Sequence, residues 1–302
     1  MAVISTGAHP KALWPGVHAW VMGEYSSFPT EYTAIFDVES SEMAYEEDVE
    51  YSGFGLAKVK SEGGSIEFDT HSQGATKRYT HVTYALGYAV TQEEMEDNLY
   101  PKLGKSRGKA LQFSFSTTKE IVHANVLTRA TSGSYLGMDG VALLSTAHPT
   151  LAGNQSNRLA TDADLSEASL EDVLTMVMTA KNSRGLPINI RAQKLIVPPQ
   201  EAFNAERIIK SALQNDTANN AVNAIKSMGV LPGGYIVNHY LTDADAWFVK
   251  TNVPNGLMSF KRIGFDFFKD KDFTSTNALF AARERYSCGW TDWRSYYGTQ
   301  GA

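Results

Sequence analysis

The segment VALLSTAHPTLAGNQSNRL, residues 141–159, places Ser145 three positions before His148, the pairing that a nucleophile and its general base would require. Its flanks lack the Gly-x-Ser-x-Gly turn that exposes a hydrolase serine, and a separation of three residues does not itself create a hydrogen bond. Ser, Thr, His, Asn and Gln around Pro149 serve equally to satisfy the backbone of an irregular loop. Elsewhere, none of the seven histidines has a His-Glu-x-x-His spacing. Gly53-Phe54-Gly55 lies in an extended stretch with no helix opening after it, and no Gly-Lys-Ser/Thr run is present to wrap a phosphate. Asp162 and Asp164 begin like a calcium loop, but Glu167 stands where the sharp turn needs Gly and Val173 where the ion needs a bidentate Glu. Cys288, in RYSCGW, is the single cysteine, which excludes an intrachain disulfide and a multi-thiolate metal site and reads as a small buried side chain. The chain is therefore expected not to be an enzyme, with no catalytic residues, no metal and no cofactor.

The composition points the same way. The chain has 302 residues, 43% of them hydrophobic, enough to bury a core. A net charge of −6 argues against a general polyanion binder, and Lys102, Lys105, Arg107 and Lys109 read as one solvated or intersubunit helix face. No run reaches the roughly 18 apolar residues of a membrane span, and MAVISTGAHPKALWPG lacks a charged start followed by an apolar stretch. No membrane association or export is expected, so the glycosylation-like triplets at Asn154 and Asn215 carry no weight.

The elements follow from periodicity. Residues 1–48, with Trp14, Trp20 and Tyr25 among scattered Gly and Pro, read as an arm lying across other surfaces. KVKSEGGSIEFD alternates apolar and charged residues on both sides of a Gly-Gly turn, which predicts a hairpin projecting from the body. Val82, Tyr84, Leu86, Tyr88 and Val90 predict a strand with one buried face. Thr91 followed by Glu93, Glu94, Glu96 and Asp97 predicts a helix start. An apolar stripe through Leu111, Phe115, Val122 and Val126 carries that helix to about residue 130, about 50 Å if continuous. Pro101, Gly104 and Gly108 weaken the case for continuity, and a bend or break near residue 101 is the alternative. Ser169 and Asp172 read as the capping pair of a second helix ended by Gly185. QKLIVPP, VLPGGYIVNHYL and ADAWFVKT predict strands and EAFNAERIIKSAL a helix, with NDTANNAVN as an exposed loop. KRIGFDFFKD and TNALFAARERYSCGW return to strand.

This order, together with DGVALLSTAHPTLAGNQSNRL, RGLPINIRAQKLIVPPQ, WFVKTNVPNGL and ARERYSCGWTDWRSYYG, resembles the major capsid proteins of tailed bacteriophages, the Hong Kong 97-type shell fold. The resemblance implies an α+β fold with an N-terminal arm at 1–48 and an extended hairpin loop with its return strand at 49–90. It implies a peripheral domain at 91–165 and 256–302, with a spine helix at 91–130, and an axial α/β domain at 166–255. It implies a virion protein, assembled in the host cytoplasm, whose partners are further copies of itself in pentamers and hexamers. A separate scaffold protein, a portal, an optional decoration protein and non-specifically contacted double-stranded DNA complete that set. Trp14, Trp20, Phe54, Lys58, Lys60, Phe68 and Arg78 are the expected intersubunit contacts. Some relatives crosslink a hairpin lysine, for which Lys58, Lys60 or Lys77 would stand here, but no motif identifies a partner and no bond is predicted. The alternatives are an encapsulin-like compartment holding cargo proteins, or a soluble hydrolase using Ser145 and His148.

Overall fold

In the computed structural model the described residues are 3–4, 30–97, 101–214 and 221–302, with backbone alone at 3–4 and 101–106. The first half supplies strands β1 (Val3–Ile4), β2 (Asp37–Ser40), β3 (Tyr45–Tyr51), β4 (Gln73–Thr80) and β5 (Val82–Val90), then helices α1 (Gln92–Asp97) and α2 (Pro101–Thr128). A small hairpin, β6 (His148–Thr150) and β7 (Gly153–Gln155), precedes α3 (Glu167–Met178), β8 (Ala192–Val197), α4 (Ala202–Lys210) and α5 (Ala224–Met228). Strands β9 (Tyr235–Val237), β10 (Trp247–Thr251), β11 (Leu257–Lys271), β12 (Ala278–Trp290) and β13 (Tyr296–Thr299) finish the fold.

Two sheets organise it. The larger has the order β1-β5-β12-β11-β2, built on the long antiparallel β11–β12 hairpin. Leu111 and Phe115 of α2 pack on Ala282 of this sheet, with Tyr84 and Tyr88 beside them. Tyr84 stacks on Tyr286 and Tyr88 on Phe280, but Val82 and Leu86 are half-exposed, so the single buried face expected for β5 is only partly formed. The smaller sheet, β13-β10-β8-β9, is buried on both faces. Leu195, Val197, Trp247, Val249 and Tyr297 face one core with α3, α4 and α5, whereas Ile196, Phe248 and Tyr296 face another with Leu127, Leu143 and Leu144. Covering both faces requires near-continuous apolar strands, which is why LIV and WFV read as unbroken runs.

Several expectations are corrected. Residues 30–36 are not a free arm: Tyr32, Ile35 and Phe36 are buried, and Glu120 accepts the backbone amides of Glu31 and Tyr32 at 3.0 Å each. Trp14 and Trp20 lie outside the described residues. The hairpin ladder forms between β3 and β4 at its base, and the alternating 58–60 and 66–68 stretches make no ladder. Large side chains on both faces of those stretches have no sheet to lie against, so the pattern alone does not pair them. Of the spine expected at 91–130, the described residues form α1 (Gln92–Asp97) and α2 (Pro101–Thr128), and the join between them lies outside the described residues. The 28 residues of α2 span about 42 Å. Thr91 does cap α1, its Oγ1 accepting Glu94 N at 3.2 Å. The box on α3 is Ser166 with Ser169, because Ser169 is three residues inside the helix, and the helix ends at Met178. Gly185, at φ +83°, belongs to a later turn. In NDTANNAVN, Asn223 is buried as the N-cap of α5, accepting Lys226 N at 3.2 Å. Finally, β13 hydrogen-bonds to β10 and extends the smaller sheet, so 256–302 does not remain with the larger one.

His123 joins these layers. It is enclosed by the rings of Tyr32, Phe36 and Tyr286; Nδ1 donates to Lys119 O at 2.7 Å and Nε2 accepts from Ser259 Oγ at 2.8 Å. Burial pushes its pKa down to about 4, so the folded protein holds the ring neutral. As pH falls below about 6.5 the unfolded chain takes up a proton that the folded chain refuses, and stability is lost until pH reaches about 4. Denaturant unfolding at pH 7 and pH 4 should show about 3 kcal/mol more acid destabilisation in the parent than in His123→Gln; equal losses would refute this role.

Candidate functional site: a buried loop and a projecting one

The 141–159 segment is organised around Asn157, which is fully buried. Its Nδ2 donates to Leu143 O at 2.7 Å, Tyr296 O at 2.9 Å and Trp293 O at 3.2 Å. That leaves Oδ1 to accept Ser145 N at 2.9 Å and to face His148 Nε2 at 3.0 Å. The other ring nitrogen of His148, Nδ1, lies 2.6 Å from Asp139 Oδ2, and the ring stacks on Trp293 at 4.2 Å between centroids. Ser145 Oγ instead accepts Ala147 N at 3.1 Å. Both ring nitrogens are thus engaged by oxygens other than Ser145 Oγ, and the serine lacks the base that nucleophilic attack needs. Cys288 is equally unreactive: burial pushes its thiol up to about 12. Asp162 pairs with Arg158 and accepts Thr299 Oγ1 at 2.8 Å, a structural contact and not an ion-binding start.

The second feature is the loop between β3 and β4. Ser52 and Ser72 close its base, with Ser52 N donating to Ser72 O at 3.0 Å and Ser72 N to Ser52 Oγ at 2.9 Å. Its tip turns at 61–64, where Gly64 N donates to Ser61 O at 3.0 Å and Gly63 sits at φ +75°, as the Gly-Gly pair predicts. Phe54, Leu56, Val59, Ile66 and Phe68 are all exposed, Val59 and Phe68 almost completely. Lys58 pairs with Glu67 at 2.5 Å, and Lys60 is exposed. Arg78 stands at the base on β4, donating through Nε to Glu47 Oε1 at 2.6 Å with its guanidinium 4.2 Å over the Tyr45 ring. Phe54, Lys58, Lys60 and Phe68 therefore share one projecting segment, with Arg78 at its foot. Sequence reasoning missed Asp139, Asn157 and the Asp69–Arg184 contact, which binds the loop to a turn 115 residues away. No local pattern marks a polar residue for such a distant partner.

A subunit with a long helix on one twisted sheet, a second doubly buried sheet and an apolar loop held away from both is built like a Hong Kong 97-type shell protein. The capsid of a native GTA particle, solved with C5 symmetry, superimposes with a TM-score of 0.61 at 13% identity over all of both chains. A chain from Mycobacterium phage Patience gives 0.60 at 10% identity, covering all of this chain and 93% of that one. The virus-like particle from Pyrococcus furiosus gives 0.50 at 12% identity over 92% and 94%. No curated protein sequence matches significantly. The family model described as phage capsid protein matches residues 74–298, and the chain belongs to that family as a major capsid protein.

The buried amide and the serine beside it should separate cleanly on mutation. Asn157→Ala leaves several buried backbone groups without partners and should cost about 3 kcal/mol or more in denaturant unfolding. Ser145→Ala removes one local acceptor and should cost about 1 kcal/mol or less by the same measurement.

Proposed function

We propose that the chain assembles with copies of itself, as pentamers and hexamers, into a closed icosahedral shell around packaged double-stranded DNA. The observation that carries this reading is the loop at 52–72, whose large apolar side chains have no cover within their own subunit. Covering a side chain such as Phe68 removes it from water and contributes about 1.5–3 kcal/mol. One such contact is modest, but a subunit engaging several neighbours by head-to-tail contacts adds them within a closed ring. Trp14, Trp20, Phe54, Lys58, Lys60, Phe68 and Arg78 are the proposed contact residues. Of the arm at 1–48, residues 30–36 and β2 are held on their own subunit; 49–90 act as the extended loop with its return strand, 91–165 with 256–302 as the peripheral domain and 166–255 as the axial domain. β13 is the exception to that division, because it pairs with the axial strand β10.

The role is structural and not enzymatic. Assembly takes place in the host cytoplasm with a separate scaffold protein and a portal, a decoration protein is an optional addition, and DNA is contacted without sequence readout. The net charge of −6 suits a wall that does not grip its contents. The similarity to the Pyrococcus furiosus virus-like particle supports the shell fold, and the second reading is a shell of that fold holding protein cargo. Particles purified from the native source separate the two: DNA inside supports the first, and enclosed enzyme supports the second.

Replacing residues 53–71 by a short Gly-Ser turn across Ser52 and Ser72 removes the exposed apolar groups and spares the β3–β4 ladder. The variant should keep the parent's circular dichroism yet yield no closed particles by electron microscopy. Normal particles from that variant would refute the assignment.

A further inference from the structure

One side chain ties the projecting loop to the body of the subunit. Among the described residues, the hydrogen bonds from 53–71 to the rest of the chain all come from Arg184. Its Nη1 donates to Asp69 Oδ2 at 2.9 Å and its Nη2 to Thr70 O at 2.5 Å. Asp69 in turn gathers both limbs of the loop, Oδ2 accepting Gly55 N at 2.7 Å and Oδ1 accepting Thr70 N at 2.8 Å. The amides of Gly55 and Thr70, with Arg184 adding to them, hold the Asp69 carboxyl below its ordinary range and therefore ionised.

Arg184 is presented by a rigid turn. Asn182 Oδ1 accepts Arg184 N and Leu186 N at 2.9 Å each, and Gly185 takes the left-handed conformation that closes the turn. Gln155 Nε2 donates to Asn182 O at 2.9 Å and Ala152 N to Ser183 O at 3.1 Å, which fixes the turn to the β6–β7 hairpin. Packing does not duplicate this hold. Beneath the loop's base lies an open cleft of about 610 Å³ bordered by Ser52, Ser72, Gly74, Met138, Leu151 and Ser183. Each limb has about ten residues between base and tip, a lever of about 30 Å when extended. A rotation of about 20° at the base would move the tip by about 10 Å, more than the width of a side chain.

We propose that Arg184 is a positioning residue that sets the direction of the projecting loop in the subunit before assembly, by clamping both limbs through Asp69. The proposal rests on the reading that this loop covers a neighbouring copy. A partly exposed ion pair adds little to folding stability, so the clamp acts on where the loop points and not on whether the subunit folds.

The test is a distance distribution from spin labels on full-chain subunits kept unassembled, one label at Val59→Cys on the loop and one at Asp172→Cys on α3. Cys288 is only partly buried, so the parent and every variant carry Cys288→Ser to keep the label on the two chosen sites. The parent should give one narrow distance. Arg184→Ala and Asp69→Ala should each broaden it at least twofold, with the double variant no broader than either, while the thermal midpoint stays at the parent value. An unchanged width in Arg184→Ala overturns the clamp, as does broadening that appears only with a lowered midpoint. Electron microscopy of the same variants addresses the reading beneath it. A broadened distance with normal closed particles supports the clamp and counts against the loop's role in covering a neighbour.

Discussion

One buried carboxamide holds together parts of the chain that sequence keeps far apart. Asn157 reaches Leu143 O on one side and Trp293 O and Tyr296 O on the other, and its own carbonyl accepts Gly298 N at 3.2 Å. It therefore fixes the segment leaving α2 against the strand that completes the smaller sheet. His148, stacked on Trp293 and held by Asp139, closes the same junction from the opposite side. In a dry interior each of these polar groups would be costly without its partners, so the set is formed as a whole or not at all. The histidine's role here is architectural.

That junction lets the subunit divide its apolar surface into two classes. The interior class is covered within one chain: both faces of β8 and β10 are sealed, and Tyr32, Ile35 and Phe36 lock the segment before β2 onto the end of α2. The second class sits on a loop with no core of its own. A protein that keeps the two apart can fold before it meets a copy of itself and still hold a reserve of burial for association. Alternating Lys and Glu among the loop's apolar residues hinders unplanned pairing in the meantime.

Much of this was legible in residue order. The doubly buried strands announced themselves as LIV and WFV, the loop's turn as Gly63-Gly64, the helix start as Thr91, and the resemblance in RGLPINIRAQKLIVPPQ and its companion segments led to the right family. What stayed hidden depends on contacts between distant residues. Tyr32 and Phe36 read as an arm because nothing local says that His123 waits for them. The 58–60 and 66–68 stretches carry a strand's alternation but lack a surface to lie on. Asp69 and Arg184 are ordinary charged residues until the fold sets them 2.9 Å apart.

The placement of β13 has a consequence for the timing of synthesis. Tyr297 fills one core and Tyr296 the other, and Gly298 lets the backbone approach Trp247 so closely that a Cβ would lie 2.4 Å from its carbonyl oxygen. The sheet begun by β8 and β10 thus waits for a strand made after the whole β11–β12 hairpin. A chain cut short of residue 296 would leave one edge of β10 unpaired and both cores without their tyrosines.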